Sequence, residues 1–167
     1  MATNQEAVRC ALLAERHPGV TEGIHGLLAA CFEVVVMVAD EISLCESAER
    51  LQPALAVVNL SVAPGNRVAW LRQFRARFSS LKLILLSRHD DPGVSHALMT
   101  AGADGVVLTT AVVTDLLPAV DAVLAGGQYV SGGVPPDGAG LRVPAEPVLC
   151  IPNPGVLQMP RNFSANG

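Results

Sequence analysis

Up to about residue 130 the chain alternates between two kinds of segment, and this alternation limits its folds more than any other feature. Short apolar runs occur at VRCALL (8–13), FEVVVMVA (32–39), ALAVVNL (54–60), LKLILLS (81–87) and GVVLT (105–109). Each is short for a helix and nearly continuous in apolar character, as a strand covered on both faces must be. Between the runs, apolar residues return every three or four positions. Val20, Ile24, Leu27, Leu28 and Cys31 form one stripe, and Leu44, Ala48 and Leu51 form a second. Trp70, Leu71, Phe74 and Phe78 make the third, Val94, Leu98 and Ala101 the fourth, and Leu116, Val120, Val123 and Leu124 the fifth. These spacings mark one face of a helix, and the last helix meets a stop at Gly126–Gly127.

Five strands alternating with five helices predict an α/β fold: a doubly wound, five-stranded parallel sheet in a flavodoxin-like α/β/α sandwich. In such sheets the ligand crevice opens beyond the carboxyl ends of the strands, where the strand order reverses. That rule selects residues 14–17, 59–64, 87–90 and 109–110.

The domain is expected to span residues 1–131. From 132 to 167 the composition changes: this stretch holds seven of the twelve prolines and shows neither period. Proline at this density blocks helix and ladder hydrogen bonds, so an irregular tail is expected, with PVLCI (147–151) as a candidate to lie against the body. The NFS at 162–164 fits a glycosylation sequon and reads as a chance match.

No apolar run approaches the roughly 20 residues of a membrane span, and MATNQEAVRC lacks the basic-then-apolar pattern of a secretory signal. A cytoplasmic protein with no membrane partner is expected. Cys10, Cys31, Cys45 and Cys150 show no CxxC spacing, and His17, His25, His89 and His96 show no HxxxH. We therefore expect no metal or cofactor, with the cysteines packed as small apolar groups. A net charge of −4 argues against direct nucleic-acid binding.

Three blocks carry a family likeness: ALLAERHPGVTEGIHGLL (11–28), LILLSRHDDPGVSHALMTAGADGVVL (83–108) and AVDAVLAGGQYVS (119–131). The body resembles the CheY-like receiver domain of bacterial response regulators, in the NarL/FixJ/LuxR-type branch. The resemblance implies a two-component module that accepts a phosphoryl group on a carboxylate ending the third strand. It also implies magnesium held by that carboxylate and an acid pair after the first strand. A hydroxyl after the fourth strand and a lysine after the fifth contact the phosphoryl oxygens.

Placed on this chain, those roles fall on poor substitutes. The phosphoacceptor position is Asn59, whose amide is no nucleophile, and the acid pair becomes Glu15 and Arg16. The lysine position is Thr109 and the aromatic switch position is Val106. Ser87 keeps the hydroxyl. The loop proline stands at Pro64, with Ala63 in its usual place, and Arg88 sits beside the pocket. The expectation is a pseudo-receiver with no catalytic residue, acting through protein–protein contact. It would form a homodimer or a heterodimer with a related regulator, with a sensor kinase as a further partner. The helix-turn-helix that such a regulator carries is missing from 132–167, so the chain reads as a truncated or frameshifted product or as a stand-alone domain.

Two questions stay open in the sequence. Arg16 either folds back onto Glu15, Asp40 or Asp90, or stands in for the cation and binds an anion. The alternative function is a small-ligand-binding or enzymatic flavodoxin-like domain. Against it, there is no GxGxxG after the first strand and no GxxxxGK[ST] anywhere. Arg67, Arg72, Arg75, Arg77 and Lys82 read as a solvated helix face, and Met99 and Val94 as part of a partner-facing fourth helix.

Overall fold

Parallel strands buried on both faces need helices above and below them, and the observed order supplies both layers. The computed structural model describes residues 9–132. Its elements are β1 (Cys10–Ala14), α1 (Pro18–Ala29), β2 (Val34–Val38), α2 (Glu41–Leu51), β3 (Leu55–Asn59) and α3 (Arg67–Arg77). They continue with β4 (Lys82–Ser87), α4 (Pro92–Ala101), β5 (Gly105–Leu108), a single 3-10 turn at Thr109–Ala111, α5 (Val112–Leu124) and β6 (Tyr129–Val130). The sheet order is β2-β1-β3-β4-β5-β6 and every pairing is parallel.

Strand alternation divides the core in two. Leu12, Ala14, Ala56, Val58, Leu83, Leu85 and Val106 face one layer, where Leu44 and Ala48 of α2, Trp70 and Phe74 of α3, and Leu98 and Met99 of α4 cover them. Ala11, Leu13, Leu55, Val57, Ile84, Leu86 and Val107 face the other, under Ile24 and Leu28 of α1 and Leu116, Val120 and Val123 of α5. Helix starts are set locally. Asp40, Asn66 and Asp91 each accept a backbone N–H from their own first turn, satisfying donors a helix end leaves orphaned.

The sheet has six strands rather than the expected five. Tyr129–Val130 pairs with Gly105–Val106, and two residues are too few to carry a period. Thr109 lies past the end of β5, where it opens the 3-10 turn. Val20 and Leu51 belong to apolar stripes yet are 39% and 44% exposed, because periodicity gives the direction of a face and not its width. Met99 points inward rather than to a partner, at 5% exposure. Cys10 and Cys45 are only partly buried. No helix among the described residues is long and apolar enough to cross a membrane. The expected irregular tail, with Cys150 and the 162–164 sequon, lies outside the described residues.

On α3, Arg67, Arg72 and Arg77 are exposed as expected of a solvated face, but Arg75 is not. Arg75 donates from Nε to the Gly102 carbonyl at 2.7 Å, from Nη1 to the carbonyls of Phe78 and Leu81, and from Nη2 to Asp104. It ties α3 to the end of α4 and the start of β4. Arg77 pairs with Glu49 of α2.

Candidate functional site

Strand order reverses at β1, which lies between β2 and β3. The crevice there opens beyond Ala14 and Asn59. Glu15 leaves β1 still pinned to the sheet, its N–H bonded to the Val38 carbonyl at 3.0 Å. Its side chain is fully enclosed and accepts hydrogen bonds at both oxygens. Oε1 receives the His17 backbone N–H and faces the His17 ring Nδ1, each at 2.9 Å. Oε2 receives the Asn59 side-chain amide at 2.5 Å.

Asn59 ends β3 at 4% exposure. Its amide is used at both ends, since Oδ1 accepts the Ser61 N–H at 2.9 Å. The loop turns at once, with Val62 N–H bonded to the Asn59 carbonyl. Burial pushes the Glu15 carboxyl up, but the His17 backbone and ring, the Asn59 amide and the Arg16 backbone N–H together outweigh it. The group is held below the ordinary carboxylate value.

Ser87 ends β4, buried, with its hydroxyl between the backbone N–H and carbonyl of His89 at 3.2 and 3.3 Å. It pairs in register with Leu108, the last residue of β5. Thr109 follows, partly exposed, and Val106 lies two residues before Leu108 at 1% exposure. The sheet thus brings Glu15, Asn59, Ser87 and Thr109 to adjacent strand ends. Arg16 and Arg88 are exposed. Apart from its backbone N–H toward Glu15, Arg16 makes no side-chain hydrogen bond or ion pair among the described residues. The Asp40 carboxyl lies below its usual range first through the Ser43 backbone and hydroxyl, with the charge of Arg16 as a lesser cause.

No protein-family model matches the chain. The transcriptional regulatory protein DegU of Brevibacillus brevis is 31% identical over 122 residues, covering 71% of this chain and 51% of DegU. Among solved structures, the isolated REC domain of RcsB from Salmonella enterica serovar Typhimurium matches with a TM-score of 0.66. Its identity is 25% over 74% of this chain and 93% of that domain.

The body is a response-regulator receiver domain.

A structure of two RcsB dimers bound to two parallel DNAs matches this receiver with a TM-score of 0.65 and 25% identity, over 75% of this chain and 64% of that one. The chain spans little more than half the length of the curated relatives it matches, 51% of DegU and 59% of RcsB from Escherichia coli.

Within the receiver crevice the buried charge is a single carboxylate, Glu15, already engaged by the His17 backbone and ring, the Asn59 amide and the Arg16 backbone N–H. Among the described residues no group of three or more His, Cys, Asp or Glu side chains is placed to share a metal ion. Two features were missed in the sequence. His17 stands at the start of α1, yet its ring turns back to Glu15 instead of capping the helix. Nothing but its position two residues after Glu15 signals this. The Ser61 hydroxyl oxygen is buried without a hydrogen-bond partner among the described residues.

Proposed function

We propose that this receiver is a pseudo-receiver: it works in two-component signalling and transcription control by binding proteins, not by accepting a phosphoryl group or catalysing a reaction. The observation that carries this reading is the Asn59–Glu15 hydrogen bond. The residue at the end of β3 is an amide spent on a neighbour and on Ser61, and it lacks the negative charge with which a carboxylate attacks phosphorus. Arg16 brings positive charge to a place that would hold a cation, and at close range such repulsion opposes magnesium. Thr109 supplies a hydroxyl where a charged amine would neutralise phosphoryl oxygens, and Val106 cannot swing as an aromatic would.

In this reading the partners are a second copy or a related response regulator, and the RcsB dimers offer the precedent. A sensor kinase is a binding partner and not a donor. The protein acts in the cytoplasm, and its effect on transcription passes through the regulator it binds.

The test uses acetyl phosphate with millimolar magnesium on the native chain and on the Arg16→Asp, Asn59→Asp, Thr109→Lys triple variant. Intact-mass analysis is expected to show no labelling of the native chain and labelling of the variant. Labelling of the native chain, or beryllofluoride-induced amide shifts at Asn59 and Ser87, would sink the reading. Sedimentation of the native chain over a concentration series tests self-association separately.

A further inference from the structure

The chain leaves the described domain through residues 126–132, and these are fastened at one well-defined place. Ser131 is 7% exposed, although it is the penultimate described residue. Its Oγ donates to Asp115 Oδ2 at 2.6 Å and accepts the Leu108 N–H at 3.1 Å. Its backbone N–H bonds to the Val106 carbonyl at 2.9 Å, and the Tyr129 N–H bonds to the Asp104 carbonyl at 3.2 Å. Asp115 lies in the first turn of α5 and also receives the Thr114 hydroxyl. Three elements therefore meet at one serine: the end of β5, the start of α5 and the outgoing chain.

Two further facts give this junction a switching character. The segment is bounded by glycines at positive φ, Gly126 at +89° and Gly132 at +65°. Those angles can change there at little steric cost. Between them β6 is only two residues long, and so short a strand cannot hold itself in place without added anchors. Val130 of β6 pairs in register with Val106 and packs against the cluster that holds Val106 and Met99. The flank of the residue in the switch position is thus covered by the outgoing chain.

We propose that residues 126–132 are a strap, and that its Ser131–Asp115 latch carries the state of the crevice to the segment that follows Gly132. Leu108 is the link. It pairs with Ser87, directly precedes Thr109, and gives its N–H to Ser131. A ligand or partner that displaces Ser87 or Thr109 moves the Leu108 N–H away from its acceptor. Hydrogen bonds weaken steeply with angle and distance, so the strap has a latched and a released arrangement rather than a continuum. This mechanism needs no phosphoryl group and does not depend on whether one can be accepted.

Amide hydrogen exchange by NMR on the full 167-residue chain tests the strap in both directions. Ser131→Ala is expected to speed exchange at Leu108, Tyr129 and Ser131 by about tenfold or more, since these amides open locally. Amides of β1 and β3 keep native rates, and Ser131→Thr, which keeps a hydroxyl, restores protection. Asp115→Asn, a milder change, gives a smaller increase at the same three amides. In the reverse direction, Ser87→Ala and Thr109→Val speed exchange at Tyr129 and Ser131, because coupling between two sites is reciprocal. Unchanged exchange at Leu108 in both latch variants overturns the latch. Unchanged exchange at Tyr129 and Ser131 in both crevice variants overturns the coupling. Acetyl phosphate labelling bears on neither outcome, so failure of the strap and failure of the pseudo-receiver reading are separable.

Discussion

Asn59 donates its side-chain amide to the enclosed carboxylate of Glu15, so the two strand ends at the reversal of the sheet share one proton-bearing contact. Asn59→Asp alone would replace that donor with a second carboxylate against the first. Two such groups cannot both ionise cheaply, and the shared carboxyl pKa rises. The expected cost at pH 7 is about 1–3 kcal/mol. Because the folded pKa is raised, the penalty is absent below the unfolded carboxyl value and grows as pH climbs through the raised one. Urea unfolding of the variant at pH 4 and pH 7 checks this: the gap to the native chain should be larger at pH 7.

The native Glu15 behaves in the opposite sense. Its carboxyl is held below the ordinary value of 4.5 against burial, by the His17 backbone and ring, the Asn59 amide and the Arg16 N–H. A depressed folded pKa contributes stability above the unfolded value, and that stability is lost as pH falls through the folded one. Glu15→Gln removes the titration and turns an amide N–H toward Asn59 or His17. It is expected to lower stability at pH 7 by about 1–3 kcal/mol and to flatten the fall in stability below pH 4.5. Denaturant midpoints between pH 6 and pH 3 for both chains give the comparison.

The layered fold was legible in the sequence because the apolar runs and stripes each serve one physical need, burial on two faces or on one. The positions of Glu15, Asn59, Ser87 and Thr109 followed from strand ends alone. The partners of those side chains did not. Nothing in the spacing of Glu15, Arg16 and His17 says which of the two following side chains turns back to Glu15, and the structure gives that role to His17. Arg75 was hidden for a similar reason. On α3 it looks like its exposed neighbours, and only the approach of the Gly102 turn and Asp104 converts it into a tie. β6 was illegible because two residues show no period.

Arg75, Arg72 and Arg77 offer a graded test on one helix. Arg75 satisfies three backbone carbonyls and Asp104 at 18% side-chain exposure, and a point-charge ammonium cannot reproduce that fork. Arg75→Lys is expected to lower stability by about 1–2 kcal/mol, roughly one to two hydrogen bonds. Arg77→Ala breaks a pair in which both partners are half exposed, so solvent screens it and the loss should be smaller than at Arg75. Arg72 is exposed, and its change to Ala should fall within about 0.5 kcal/mol. Chemical denaturation of the three variants should give this order, and an equal loss at Arg72 and Arg75 would contradict the role of Arg75 as a tie.

Two glycine-to-alanine changes should have opposite signs. Gly102 ends α4 at φ +121°, and a Cβ there would lie 2.8 Å from Arg75 Cγ. Alanine at this position is strained in its backbone and pushes on the side chain that holds α3 to β4, so Gly102→Ala is expected to destabilise by about 2 kcal/mol or more. Gly26 sits within α1 with nothing within 4 Å of its missing Cβ. There the methyl meets solvent and the unfolded chain loses freedom, so Gly26→Ala should stabilise by about 0.4–1 kcal/mol. A double change separates strain from contact. If the methyl acts by displacing Arg75, Gly102→Ala costs less on an Arg75→Ala background than on the native one, a coupling that thermal or urea unfolding of the four chains measures. Equal cost on both backgrounds would place the whole penalty in the backbone angle.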